Sequence, residues 1–128
     1  MKNVLLVDDD VVFTFLNKRI ISALDFVNEI DVAQNGLQAI ELLGKLVKGS
    51  NRLHDIILLD LNMPIMDGFG FLEAFKRADL PNKEQVKIII LTSSIHPEDI
   101  QRAKNYGVTS YLTKPLREEG LLAEISKP

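Results

Sequence analysis

Apolar residues fall in short runs, separated by stretches with helical spacing. The runs are "NVLLV" (3–7), "VNEIDVA" (27–33), "DIILLD" (55–60), "VKIIILT" (86–92) and "TSYLT" (109–113). The first, third and fourth have too little polar alternation for half-exposed strands, so they predict parallel strands covered on both faces. Between them, residues 10–24 place Phe13, Leu16, Ile20 and Leu24 on one helical face, and residues 36–47 do the same with Leu37, Ile40 and Leu43. A third helix is expected over 67–77, with Phe71, Leu72 and Phe75 inward and Asp67 as its N-cap. A fourth, over 97–106, opens on "PED", a first-turn proline and two acids suited to the positive helix end. A short fifth runs over about 117–126. Five strands alternating with five helices predict an open, doubly wound α/β domain with helices on both faces of a parallel sheet and right-handed crossovers. The stretches "NG" (35–36), "GSN" (49–51) and "LPNKE" (80–84) read as loops, with no internal repeat or linker.

A chain of 128 residues predicts one domain, 1–128, with a core that buries roughly two-thirds of its unfolded surface. Hydrophobic residues at 46% and charged residues at 26% are ordinary for a globular protein. No apolar stretch approaches the ~20 residues needed to cross a bilayer. The start "MKNVLLVDDD" runs into three acids, the wrong shape for a secretory signal, so a cytoplasmic location is expected. The absence of cysteine excludes disulfides and thiolate chemistry. A net charge of −3 with scattered basic residues argues against nucleic acid as partner.

In such a sheet, ligands gather outside the carboxyl ends of the strands. Strand 1 ends in Asp8, Asp9 and Asp10, strand 3 in Asp60, strand 4 in Thr92 and Ser93, and strand 5 runs into Lys114 and Pro115. Crowded carboxylates either rise in pKa or take up a hard cation, and an oxygen-rich acidic cluster suits magnesium. Taken singly, each residue has a blander role. Asp60 fits a turn acid, Asp10 an N-cap, Thr92 and Ser93 loop caps, and Lys114 a solvated lysine. Asp67 reads as an N-cap with Gly68 easing the turn, Met63 and Met66 as packing, and His54 and His96 as surface residues.

Four motifs, "LLVDDD" (5–10), "DIILLDLNMPIMDG" (55–68), "IIILTSS" (88–94) and "YLTKP" (111–115), occur in an order and spacing that resembles the receiver domains of two-component response regulators, CheY-like and of the stand-alone type. The resemblance implies a flavodoxin-like five-stranded sheet in the order 2-1-3-4-5. It implies a phosphorylation switch rather than an enzyme, with self-phosphorylation and autodephosphorylation its only chemistry. Asp60 would accept a phosphoryl group from a histidine kinase or phosphotransfer protein. Asp8, Asp9 and Asp60, with the backbone carbonyl of Asn62, would hold Mg2+, and Lys114 would neutralise phosphoryl oxygens. Thr92 matches the switch hydroxyl, and Ser93 beside it is small enough to leave the access path open. Tyr111 matches the aromatic that carries the change to a downstream protein target through helix 4, strand 5 and helix 5. The Lys114–Pro115 bond resembles the family's cis peptide. Asn62 and Ser94 occupy the positions that tune acyl-phosphate hydrolysis. Phe15, off the helix 1 stripe, is expected to face solvent near the acids, where it can dock phosphodonor helices. The end at Pro128 leaves no room for an output domain, so the chain acts through protein contacts, as monomer or phosphorylation-dependent dimer, or is a fragment.

Two other readings compete. A haloacid dehalogenase-like phosphatase would use Asp8 as nucleophile with Asp10, Thr92 and a later lysine. It needs a further acidic pair at a strand end, however, and Glu118, Glu119 and Glu124 fall on the terminal helix. A receiver-like scaffold that takes no phosphate is the third reading.

Overall fold

The computed structural model describes residues 1–93 and 95–127. The elements in chain order are β1 (Lys2–Val7), α1 (Val11–Ser22), β2 (Val27–Ala33), α2 (Gly36–Lys48), β3 (Ile56–Leu59), α3 (Gly68–Arg77), β4 (Lys87–Thr92), α4 (Pro97–Lys104), β5 (Ser110–Thr113) and α5 (Glu118–Ser126). The strands pair in parallel in the order β2-β1-β3-β4-β5. The chain moves outward from β1 to β2 and then crosses back to β3, so the crevice between β1 and β3 is the topological switch point.

Alternation along the central strands divides the interior into two cores. Leu5, Val7, Ile57, Leu59 and Ile90 face α2 and α3, where they meet Leu43, Phe71 and Phe75. Val4, Leu6, Ile56, Leu58, Ile89 and Leu91 face α1 and α5, where they meet Ile21 and Leu121. Side chains on a strand point alternately to opposite faces. A strand covered on both sides is therefore apolar throughout, which is why "IILL" shows no polar interruption. No helix among the described residues is long and apolar enough to cross a membrane.

Two helix faces depart from the expected stripes. In α1, Leu16 is 47% exposed, while Asn17 is buried beside Ile21 and Leu24. In α2, Leu37 is exposed, and Ala39 and Leu43 fill the inner face. Small and polar residues occupy inward positions that a search for large apolar side chains passes over. His54 is also corrected. It is 3% exposed, with Nε2 2.7 Å from an Asp31 carboxylate oxygen. The loop before β3 is zipped to β1, the Asp55 N–H donating to the Asn3 carbonyl at 2.9 Å and the Asn3 N–H to the Asp55 carboxylate at 2.8 Å. That pairing lays His54 against the sheet. The "LPNKE" loop runs into a 3-10 turn over Lys83–Gln85. Lys83 Nζ donates to the carbonyls of Phe75, Lys76 and Ala78 at 3.1, 2.7 and 2.8 Å. It thereby satisfies the negative end of α3.

Asp67 caps α3, its side chain accepting from the Gly70 N–H at 2.8 Å. Gly68 is required by close approach. A Cβ there would lie 2.6 Å from the Asp60 carbonyl oxygen and 2.8 Å from Leu61 Cα, both backbone atoms. Gly68→Ala is expected to cost about 2 kcal/mol in chemical denaturation. Wild-type stability in that variant would show that the turn yields without strain.

Candidate functional site

The β-ladder continues past the strand ends, and that extension sets the site. The Asp8 N–H donates to Ala33 O at 3.0 Å, the Asp60 N–H to Val7 O at 2.9 Å, and the Lys114 N–H to Thr92 O at 2.8 Å. Residues far apart in sequence are thus held on one edge by backbone hydrogen bonds. Asp8 and Asp60 are 5% and 6% exposed, and Asp9 lies at the rim. Carboxylate oxygens of Asp8, Asp9 and Asp60 lie within 4.8 Å of one another. Lys114 Nζ is 2.9 Å from Asp8 Oδ2 and 3.4 Å from Asp60 Oδ2. The Lys114–Pro115 peptide is cis.

Three carboxylates against one ammonium leave two negative charges uncompensated. Burial pushes the Asp60 carboxyl above its ordinary value and the Asp8 charge adds to this, while Lys114 and the Asn62 N–H pull the other way. Burial alone would lower the Lys114 ammonium, but the hydrogen bond to Asp8 and the charges of Asp60 and Asp8 hold it above the usual lysine value. The donor set is all hard oxygen, at contact spacing and with a residual charge of two. These features fit Mg2+.

The remaining acids of the motifs lie outside the cluster. Asp10 Oδ1 accepts from the Phe13 N–H at 3.0 Å and caps α1. Thr92, at the end of β4, is 1% exposed, and its Oγ1 has no hydrogen-bond partner among the described residues. A buried hydroxyl without a partner carries a desolvation cost that a later partner can relieve. Ser93 is exposed beside it. Tyr111 sits away from the acids, its hydroxyl shared between Ile100 O at 3.0 Å and Val108 O at 3.1 Å. Asn62 is exposed at the site, and Ser94 lies outside the described residues. Sequence reasoning missed two neighbours. Asn17 lines the space beneath Asp8 and Asp60, and the Phe13 ring centroid is 4.7 Å from Lys114 Nζ. Two further cavities, of 570 and 520 Å3, are lined from the opposite strand ends and include none of Asp8, Asp9 and Asp60.

A family model for the response regulator receiver domain matches residues 4–126. This chain belongs to the receiver domains of response regulators. It is similar to a probable chemotaxis protein CheY of Rhizobium etli, 34% identical over 122 residues, 95% of this chain and 88% of that protein. Among solved structures it is similar to a two-component response regulator from Cytophaga hutchinsonii, with a TM-score of 0.86, 35% identity, and coverage of 96% of this chain and 92% of that one. The CheX–CheY–BeF3–Mg2+ complex from Borrelia burgdorferi is also similar, with a TM-score of 0.80, 25% identity, and coverage of 97% and 86%. This receiver domain is therefore CheY-like in fold and a component of two-component signalling, in a family of signalling switches rather than catalytic enzymes. Receiver domains bind Mg2+ at an acidic pocket and engage histidine kinases and downstream effectors.

Proposed function

We propose that Asp60 is the phosphoacceptor of this receiver domain and that Asp8, Asp9 and Asp60, with the backbone carbonyl of Asn62, hold the magnesium ion. The clustering of the three carboxylates, with Lys114 bridging two of them, carries this reading. An Asp60 carboxylate oxygen attacks the phosphorus of a phosphohistidine, the P–N bond breaks, and its electron pair returns to the imidazole, leaving an acyl phosphate. Bound Mg2+ offsets the charge on the carboxylates and the transferred oxygens. Lys114 turns a donor from Asp8 to a phosphoryl oxygen, and this neutralisation is most of what phosphoryl transfer asks of a protein. Exposed Ser93 leaves the approach open.

Thr92 Oγ1, without a hydrogen-bond partner among the described residues, bonds a phosphoryl oxygen after transfer. The vacated space admits a new position of Tyr111, and its release from Ile100 and Val108 alters the α4–β5–α5 face presented to a downstream protein. Asn62 and Ser94 carry no charge and offer the attacking water no strong base. The domain works in the cytoplasm, as a monomer or a phosphorylation-dependent dimer.

The phosphodonor reaches Asp60 over α1. Val11, Val12, Phe15 and Leu16 are 74%, 67%, 60% and 47% exposed on the helix that starts beside the acids. Apolar side chains grouped this way mark a contact surface. Phe15→Ala should slow transfer from a phosphorylated donor protein about tenfold and leave labelling by a small acyl phosphate unchanged. Equal slowing with both donors would contradict docking.

Incubation with Mg2+ and a small acyl phosphate, then borohydride trapping and peptide mass spectrometry, tests the whole reading. Label at Asp60 is expected. Label at Asp8 with multiple turnovers would indicate a phosphatase, and no label a scaffold.

A further inference from the structure

We infer that Phe13 is a positioning residue for phosphoryl transfer, its ring face holding the Lys114 ammonium in place when Asp8 is given up to the cation. This inference rests on the reading of Asp60 as phosphoacceptor.

Among the described residues, Lys114 Nζ lies 2.9 Å from Asp8, 3.4 Å from Asp60 and 4.7 Å from the Phe13 ring centroid. The Lys114 side chain is 8% exposed, so the ring meets a largely desolvated ammonium, the setting in which cation–π attraction is strongest. Both carboxylates change partners during function, because each is also drawn to the cation and Asp60 becomes an acyl phosphate. The ring is the one neighbour of the three that persists. Lysine is a point charge on a flexible four-carbon stem, and without a fixed contact it loses its aim. A ring face attracts the ammonium through its quadrupole and is not a lone-pair acceptor that fixes an N–H in one direction. The ammonium can therefore pivot, turning the N–H groups that now face Asp8 and Asp60 toward phosphoryl oxygens.

Two further observations separate this role from ordinary packing. Phe13 belongs to neither of the two apolar clusters that make up the interior. Its backbone is also anchored, the Phe13 N–H donating to Asp10 Oδ1 at 3.0 Å. The third acid of "DDD" thus fixes the residue that steadies Lys114.

The test compares wild type, Phe13→Leu, Phe13→Tyr, Lys114→Met and the double variant Phe13→Leu/Lys114→Met. The readouts are the rate of Asp60 labelling by a small acyl phosphate and the affinities for Mg2+ alone and for beryllofluoride with Mg2+, by calorimetry. Phe13→Leu is expected to lose about tenfold in labelling rate and beryllofluoride affinity, with Mg2+ affinity unchanged. Phe13→Tyr should restore both. In the Lys114→Met background, Phe13→Leu should cost nothing further, since the interaction it removes is already gone. If Phe13→Leu does not fold, Phe13→Met serves the same comparison. Wild-type labelling by Phe13→Leu, failure of tyrosine to rescue, or an undiminished loss in the double variant would overturn the inference. A wild-type protein with no label at Asp60 would overturn the phosphoacceptor reading, and this inference with it.

Discussion

Asp60→Asn is expected to abolish phosphoryl labelling and, in the absence of metal, to make the protein more stable at neutral pH. The first effect follows from loss of the attacking oxygen and should exceed a thousandfold, the scale on which acting units fail when a nucleophile is removed. The second follows from the raised Asp60 pKa. The fold favours the protonated form of this carboxyl. Its stabilising contribution is present below the ordinary value of 3.8 and is lost as pH rises through the elevated value, so at neutral pH the ionised group carries a cost. Asparagine keeps the shape without the charge. A gain of about 0.5–2 kcal/mol, a few degrees in Tm, is expected at pH 7, shrinking toward zero below pH ~4. Mg2+ should stabilise wild type more than the variant, because the cation binds a carboxylate that the variant lacks. A variant less stable than wild type at pH 7 without metal would contradict this account of the site.

Lys114→Met is expected to have the opposite sign. Lys114 is the ammonium between two nearly buried carboxylates, and its removal leaves Asp8 and Asp60 facing each other. Breaking such a pair from one side costs about 3 kcal/mol. The elevated Lys114 pKa means that its contribution is fully present below 10.5 and is lost only as pH rises through the higher folded value. Neutral pH therefore sees the whole effect. The loss should shrink as acid protonates the carboxylates, and shrink again with saturating Mg2+, which supplies positive charge from another source. Labelling with metal present should still fall about a hundredfold, the usual scale for losing one preorganised charge donor. Denaturation curves at pH 7 and at pH ~4.5, with and without Mg2+, check the first part, and labelling rates the second. A loss in stability indifferent to both pH and metal would show that Lys114 acts by packing.

How much of this was legible in the sequence depended on which residues carry the signal. Unbroken runs such as "IILL" gave β3 its place because a strand covered on both faces admits no polar position. The β2 bounds, Val27–Ala33, matched the apolar run from end to end. Asp10 and Asp67 were readable as caps because their side chains bond N–H groups three residues on. The inner faces of α1 and α2 were readable only in part: Ile20, Ile40 and Leu43 pack inward as expected, but Asn17, Gly36 and Ala39 do so too, and neither a small residue nor a buried amide registers as hydrophobic. His54 was misplaced because its burial comes from Asp55 pairing with Asn3, a contact 52 residues apart in sequence. For the site, four strand ends were enough to nominate Asp8, Asp9, Asp60, Thr92 and Lys114, whose convergence follows from parallel topology. The Phe13 ring beside Lys114 was out of reach, since a phenylalanine in a helical stripe announces packing and nothing in its spacing marks a charged neighbour.

The central claim is that a divalent cation makes a crowded carboxylate able to receive a phosphoryl group. A crystal structure with Mg2+ and beryllofluoride tests it most directly. The account predicts the cation on Asp8, Asp9, Asp60 and the Asn62 carbonyl, beryllium on an Asp60 oxygen, and fluorides bonded by Lys114 Nζ and Thr92 Oγ1. Beryllofluoride on Asp8, or an Asp60 carboxylate still bare at saturating concentrations of both, would contradict it.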